Sequence, residues 1–191
     1  MTNYDLPTMP AEVLKDKTAF FRAALEREGY DGAGDPTRPE KLARFMAEYD
    51  TGRDWKPRAK GLRLVGQTGR GKTFFFQIFR KYFPKVEIVS LPLAARDFAQ
   101  YGRSRFDEGD CRWAPVVIDD LGREVPANHI GNKFDLYQII RQREDSWEHG
   151  ILTFFTTELD TAEIVTRYGA HVASRINAMS DVIECKGGCR R

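Results

Sequence analysis

The sequence is poor in metal-binding side chains, with three cysteines and three histidines in 191 residues. Cys111, Cys185 and Cys189 cannot all pair within one chain, and where no export signal is read reduced thiols are the expected state. Cys185 and Cys189 are spaced as metal ligands can be, but two sulfurs do not complete a tetrahedral zinc site. His129, His149 and His171 are scattered and form no H-x-x-x-H pair, so the cysteines read as ordinary reduced thiols. Long apolar runs are also missing: none approaches the roughly 20 residues that cross a bilayer. The opening Met1-Thr-Asn-Tyr-Asp-Leu-Pro7 lacks a basic stretch followed by an apolar one, so no export signal is read there. The expectation is a cytoplasmic protein with no membrane partner. Charge of one sign is absent too. Thirty Lys and Arg against 28 Asp and Glu leave a formal charge of +2, which neither demands nor excludes a nucleic acid.

What is present suits a soluble globular chain: 41% hydrophobic and 30% charged residues, of a length for one compact domain with a small accessory segment. Two regimes divide it. In the first, Val13, Leu14, Lys17, Phe20, Phe21, Ala24 and Leu25 recur with helical period and predict an amphipathic helix near 10–28. A turn-rich stretch, Gly29 to Pro39, follows. Leu42, Phe45, Met46 and Tyr49 then predict a second helix, and docking of both on the main body is expected because a lone short helix is marginal in water. From residue 61 short apolar runs alternate with helical stretches. Strands are predicted at Leu62–Val65, Val86–Ser90, Val116–Asp119, Ile151–Thr156 and Val182–Glu184, with helices near 71–83, 91–106, 131–148 and 160–179. That alternation predicts an α/β fold with a parallel sheet covered on both faces.

Between the first strand and its helix stands Gly66-Gln67-Thr68-Gly69-Arg70-Gly71-Lys72-Thr73, which satisfies G-x-x-x-x-G-K-[ST] in the strand–loop–helix context the motif needs. The residue types follow from phosphate chemistry. Glycines let backbone N–H groups wrap phosphate oxygens, and the helix N-terminus adds a positive dipole end. Lys72 is placed to reach the outer phosphates of ATP, and the Thr73 hydroxyl to ligate Mg²⁺. The second signal is Ala114-Pro-Val-Val-Ile-Asp-Asp-Leu-Gly122, an apolar strand ending in two carboxylates. A buried parallel strand delivers that end to the rim where ligands of open α/β sheets bind. Asp119 is read as the magnesium-side acid and Asp120 as the group that orients or deprotonates attacking water. A nucleoside kinase shares the loop, but no arginine-bearing lid or acceptor pocket is legible.

Four blocks carry a family resemblance: Gly66–Thr73, Val116–Gly122, Thr153-Phe-Phe-Thr-Thr-Glu-Leu159, and Arg167-Tyr-Gly-Ala-His-Val-Ala-Ser-Arg-Ile176. Together they resemble one clade of AAA+ P-loop NTPases (ASCE type), the DnaC/DnaI-type helicase loaders and the IstB-type transposition helper ATPases. Asp119-Asp-Leu-Gly-Arg-Glu124 with Gly131-Asn-Lys-Phe-Asp135 looks like the loader branch. The resemblance implies a five-stranded parallel sheet in the order 5-1-4-3-2. It implies an ATPase domain over 38–191, a helical and partner-binding segment over 1–37, and no C-terminal helical lid. It also implies homo-oligomers formed with ATP, in which an arginine of one subunit completes the site of the next. Arg175 matches that arginine finger by position, with Arg167 in reserve.

Two departures stand out. The family usually carries asparagine at the end of the fourth strand, where this chain has Thr156-Thr157-Glu158. A glutamate there repels phosphate unless it is protonated, turned away or salt-bridged. Thr157 and Glu158 are the candidates for the sensor position, and either hydrolysis is slow or Thr157 takes the sensing role. The tail Gly188-Cys189-Arg190 resembles the family's G-x-S-x-R, with Cys189 in the serine position.

Arg96-Asp-Phe-Ala-Gln-Tyr-Gly-Arg-Ser-Arg-Phe106, continuing to Arg112-Trp113, interleaves cations with rings, the chemistry of a single-strand groove. Arg96, Arg103 and Arg105 are the candidate contacts to single-stranded DNA, although Asp97, Asp107, Glu108 and Asp110 dilute the charge and Phe98 and Phe106 also suit a core. The implied protein partner is a replicative hexameric helicase, or a transposase on the alternative reading. Phe20, Phe21 and Leu25 are its contact candidates if the first helix does not dock internally.

Overall fold

The computed structural model describes residues 11–32, 34–51, 59–107 and 109–187. The opening Met1–Pro7 stretch, Glu108 and the tail Gly188-Cys189-Arg190 lie outside the described residues. Two helices come first, α1 (Ala11–Arg27) and α2 (Arg38–Asp50). The α/β part runs β1 (Gly61–Val65), α3 (Lys72–Tyr82), β2 (Glu87–Ser90), α4 (Leu91–Tyr101), a 3-10 turn at Arg105–Asp107, and α5 (Gly109–Trp113). It continues with β3 (Val116–Leu121), a hairpin of β4 (Asn128–His129) and β5 (Asn132–Lys133), and α6 (Leu136–Glu148). β6 (Thr153–Thr157), α7 (Thr161–Tyr168), α8 (Ala170–Met179) and β7 (Ser180–Glu184) close it.

The sheet order is β2-β3-β6-β1-β7, with every pair parallel. With the short antiparallel hairpin left out of the count, this is the expected 5-1-4-3-2 read from the other edge; the hairpin is the addition. Side chains alternate across a strand, and Arg63 of β1 is registered with Phe155 of β6, so these two share a face. On it, the Arg63 guanidinium reaches Asn177 of α8 at 2.8 Å and lies 3.4 Å from Thr161 of α7. Phe154 points the other way, into α2 and α3. There it meets Phe45, Phe76 and Phe79 with ring centroids 5.4–6.0 Å apart. The aromatic cluster continues through Phe79–Phe83 at 4.7 Å and Tyr49–Phe83 at 4.8 Å.

α1 closes onto this cluster. Its Phe21, Ala24 and Leu25 are buried, and Phe21 packs against Tyr82 and Phe83 of the α3 end. Polar ties flank the apolar face: Lys17–Asp50 to α2 and Lys81–Glu28 to α3. Internal docking therefore takes Phe21 and Leu25 away from any partner and leaves Phe20, 57% exposed, as the accessible ring.

Three helices differ from the sequence expectation, each for a local reason. The 91–106 helix stops at Tyr101, because Gly102 adopts the left-handed conformation (φ 72°) that ends helices. The 131–148 helix starts at Leu136, where Asp135 accepts a hydrogen bond from the Tyr137 N–H, while residues 132–133 belong to the hairpin. The 160–179 helix is two helices, broken at Gly169 (φ 85°, ψ 161°). A glycine inside a periodic apolar pattern is tolerated by a helix, so periodicity alone hid both glycine breaks.

Candidate functional site

The phosphate-binding motif lies where the sheet dictates. β1 sits between β6 and β7, and its exit is held on both sides: Gly66 N–H donates to Thr157 O at 3.0 Å and Cys185 N–H to Val65 O at 2.6 Å. A Cβ on Gly66 would stand 2.5 Å from Cys185 O, with φ at 153°, so only glycine fits this turn. Gly69 (φ 80°) and Gly71 (φ 78°) are also left-handed, and Gly71 caps α3. The loop residues Thr68, Gly69, Arg70, Gly71, Lys72 and Thr73, with Phe74, Asp120 and Arg123, line a cavity of about 490 Å³. Gln67 borders it through its carbonyl, which accepts from Lys72 Nζ at 2.9 Å.

Lys72 is buried, and its ammonium also bonds Gly66 O. Burial pulls its pKa below the ordinary lysine value, with Glu158 the largest opposing charge. Thr73 Oγ1 donates to Asp119 Oδ1 at 2.8 Å, which joins the start of α3 to the end of β3. Asp119 Oδ1 also accepts from Thr156 Oγ1 at 2.6 Å.

Asp119 and Asp120 are consecutive on β3, yet both turn toward the loop: Asp119 bonds Thr73, and Asp120 lines the cavity. A regular strand would send them to opposite faces. The β3–β6 register slips between Ile118 and Leu121, so two residues of β3 oppose Thr156 alone, and Asp120 is left-handed at φ 60°. Such a bulge re-aims a side chain. Burial and then the Asp119 charge push the Asp120 pKa above the usual aspartate value.

The two sensor candidates part company. The Thr157 hydroxyl donates to Leu121 O at 2.7 Å and accepts from Leu159 N–H, so it serves the chain turn and does not line the cavity. Glu158 instead reaches the loop tip, accepting from the Thr68 hydroxyl and from Arg123 Nη2 at 3.0 Å. The Thr68 hydrogen bond and then Arg123 hold its carboxyl below the usual glutamate range, so the residue is salt-bridged rather than protonated.

Arg123, Thr156, Tyr30 and Arg38 belong to the site's surroundings but are not singled out by motif reading. Arg123 had a partial signal, since a salt bridge is one of the three ways a glutamate at 158 is accommodated. Tyr30 and Arg38 had none, because they come from the N-terminal helical region. The Tyr30 ring is the nearest neighbour a Cβ on Gly71 would meet, at 3.3 Å, and stacks on Phe74 with centroids 6.2 Å apart. Fully buried Arg38 donates to Arg70 O at 3.1 Å and to Lys186 O.

Neither finger candidate lines the cavity at the glycine loop. Arg175 Nε bonds Glu144 at 2.7 Å and its guanidinium lies over the Tyr137 ring. Arg167 donates to Glu124 O at 2.8 Å. Of the DNA candidates, Arg96 pairs with Asp97 at 3.7 Å and Arg105 with Glu87 at 3.8 Å, while Arg103 makes no ion pair among the described residues. Phe106 is buried and Phe98 packs on Phe134, so the exposed rings of this region are Tyr101 and Trp113.

The fold and loop together define a P-loop α/β protein, with a glycine loop between β1 and α3 of an all-parallel five-stranded sheet. Similar solved structures include DnaI, at 23% identity and TM-score 0.59, with 96% of this chain and 94% of that one covered. A putative primosome component from Streptococcus pyogenes serotype M3 matches at 17% identity and TM-score 0.60, covering 88% and 98%. The DnaC helicase loader matches at 19% identity and TM-score 0.56, covering 80% and 93%. No protein-family model and no curated protein matches the chain.

Proposed function

We propose that this chain is an ATP- and magnesium-binding ATPase that acts as a helicase-loader-type switch, oligomerising on single-stranded DNA. The observation that carries this reading is the meeting of Thr73 and Asp119 at 2.8 Å beside the glycine loop. A hydroxyl and a carboxylate are hard oxygen donors, and magnesium commonly takes one or two such ligands with phosphates and water completing the shell. The left-handed glycines and the α3 N-terminus suit a polyphosphate, so the residues present fit both groups. Thr73 and Asp119 would hold the metal, whose chemistry there would be to neutralise negative charge that develops in phosphoryl transfer.

The chain's own groups do the rest. Lys72 exchanges carbonyl partners for phosphate oxygens. Asp120, re-aimed by the bulge, orients the attacking water and accepts its proton. Arg175 acts on a neighbouring subunit's nucleotide, since it does not line its own cavity; Arg167 stands in reserve. Arg103, with Tyr101 beside it, is the leading contact to DNA, with Arg96 and Arg105 flanking. The similarity to structures of DnaI and the DnaC helicase loader supports a replicative helicase as partner, reached through the 1–37 segment and exposed Phe20. A cytoplasmic location accompanies this reading.

A second reading is a nucleotide-dependent interaction module that scarcely hydrolyses, of loader or IstB-like transposase-helper type. The observation favouring it is the Glu158–Arg123 pair at the loop tip, where the family has asparagine. Phosphate release by wild type and Asp120→Asn separates the two. A large loss in the variant supports the switch; equal low turnover supports the module. A calorimetric titration with Mg-ATP tests the common ground, since heat equal to that of Lys72→Ala overturns both.

A further inference from the structure

The mechanism above uses neither cavity-lining arginine; Arg70 donates to Gln67 Oε1 at 3.3 Å within the loop, and Arg123 comes from outside it. Arg123 follows β3 directly and reaches back to the loop. Its Nη2 donates to Thr68 Oγ1 at 2.5 Å and to Glu158 Oε1 at 3.0 Å, and the Thr68 hydroxyl in turn donates to Glu158. A guanidinium, a hydroxyl and a carboxylate thus close a triangle over the loop tip. Both Arg123 bonds use one nitrogen; Nε and Nη1 make none among the described residues. The fork therefore keeps donors for an anion in the cavity that Arg123 lines.

Charge makes the same point. The carboxylates of Glu158 and Asp120 act on Lys72, and a polyphosphate approaching that set meets their negative charge. Arg123 adds a cation on that side of the cavity. The ion pair it now makes is partly exposed, with side chains 46% and 38% accessible, so Glu158 holds it weakly. Phosphate oxygens offer guanidinium a doubly bonded, more strongly charged partner.

We propose that Arg123 binds the terminal phosphate of the nucleotide within its own subunit, and that Glu158 positions Arg123 at the loop tip until the phosphate takes it over. Glu158 then acts through Arg123 and does not read the phosphate itself. This rests on the nucleotide-binding reading above and adds to it a specificity residue for triphosphate over diphosphate.

The test is calorimetry of the full chain with Mg-ATP and Mg-ADP. Arg123→Gln lowers the ATP-over-ADP preference about tenfold, the scale of a lost charge-assisted hydrogen bond. Arg123→Lys, which keeps the charge without the fork, falls between. Glu158→Gln moves the preference the opposite way, by freeing Arg123. A merely structural role for Arg123 would not move the ratio. A ratio unchanged from wild type in Arg123→Gln, or in Arg123→Lys should the first variant not fold, overturns the assignment while leaving nucleotide binding intact. Failure of the wild type to bind either nucleotide overturns the underlying reading as well.

Discussion

The Thr156 hydroxyl donates to Asp119 at 2.6 Å, and the same oxygen accepts the backbone N–H of Asp120 at 2.9 Å. One buried side chain on β6 therefore fixes both acids of β3 across the bulge.

Replacing that oxygen by carbon tests the arrangement. Thr156→Val strands the Asp120 N–H and removes one donor from Asp119, and we expect a loss of about 1–3 kcal/mol in stability. Urea unfolding followed by circular dichroism measures it. A stability within error of wild type would show that the hydroxyl is not needed to hold the bulge.

Gly66 of the loop and Gly131 of the β4–β5 hairpin make a contrast of two substitutions. Gly66→Ala places a methyl 2.5 Å from Cys185 O at φ 153°, whereas Gly131→Ala, at φ 80°, meets nothing within 4 Å. Gly131→Ala is expected to cost about 1–2 kcal/mol from backbone strain alone. Gly66→Ala adds a backbone clash to its strain and lowers the melting temperature further, the order to be read by thermal unfolding of both proteins.

Tyr30 predicts an alkaline limit. Burial pushes its phenol up to about 12 from 10.0. A raised folded-state pKa leaves stability intact below about 10, where the unfolded phenol is still neutral, and removes it as pH rises toward about 12. The scale is about 3 kcal/mol for the full loss, from two units at about 1.4 kcal/mol each. Tyr30→Phe flattens this part of the stability–pH curve, measured by denaturant titrations between pH 9 and 11 (about one unit on either side of the ordinary tyrosine value).

Arg175 and Lys72 lie on different partners if the site is shared between subunits. Lys72→Ala and Arg175→Ala are each expected to abolish most ATP hydrolysis, and mixing the two to restore a fraction of it. No recovery on mixing, at concentrations where the chains associate, removes the trans assignment. Repeating the mixture with Arg167→Ala decides between the candidates.

For DNA, Arg103→Ala combined with Arg105→Ala should weaken ATP-dependent binding of single strands and flatten its salt dependence, because phosphate contacts release counterions. Anisotropy at several stated salt concentrations reads both. Unchanged affinity at every salt concentration removes these residues from the interface.

Much of this site is written locally. Gly66–Thr73 and Asp119 announce themselves because a phosphate cradle and a strand-end acid require particular residue types at short spacing, and the β-αβ alternation specifies the parallel sheet. The α1 periodicity likewise marks the face that buries Phe21 and Leu25. Gly102 and Gly169 are visible in the sequence but ambiguous, since φ is not a property of composition.

What the sequence alone determined is therefore the loop, the acids and the order of strands and helices, all set by contacts between near neighbours or by repeating pattern. Only the tertiary structure decided that Arg123 meets Glu158, that Thr156 holds the acid pair, and that Tyr30 and Arg38 wall the loop. Those contacts join distant stretches of chain, through a sheet whose crossovers place β1 beside β6 and β7. No local pattern encodes a long-range pairing, because the side chains that meet are chosen by how the layers close.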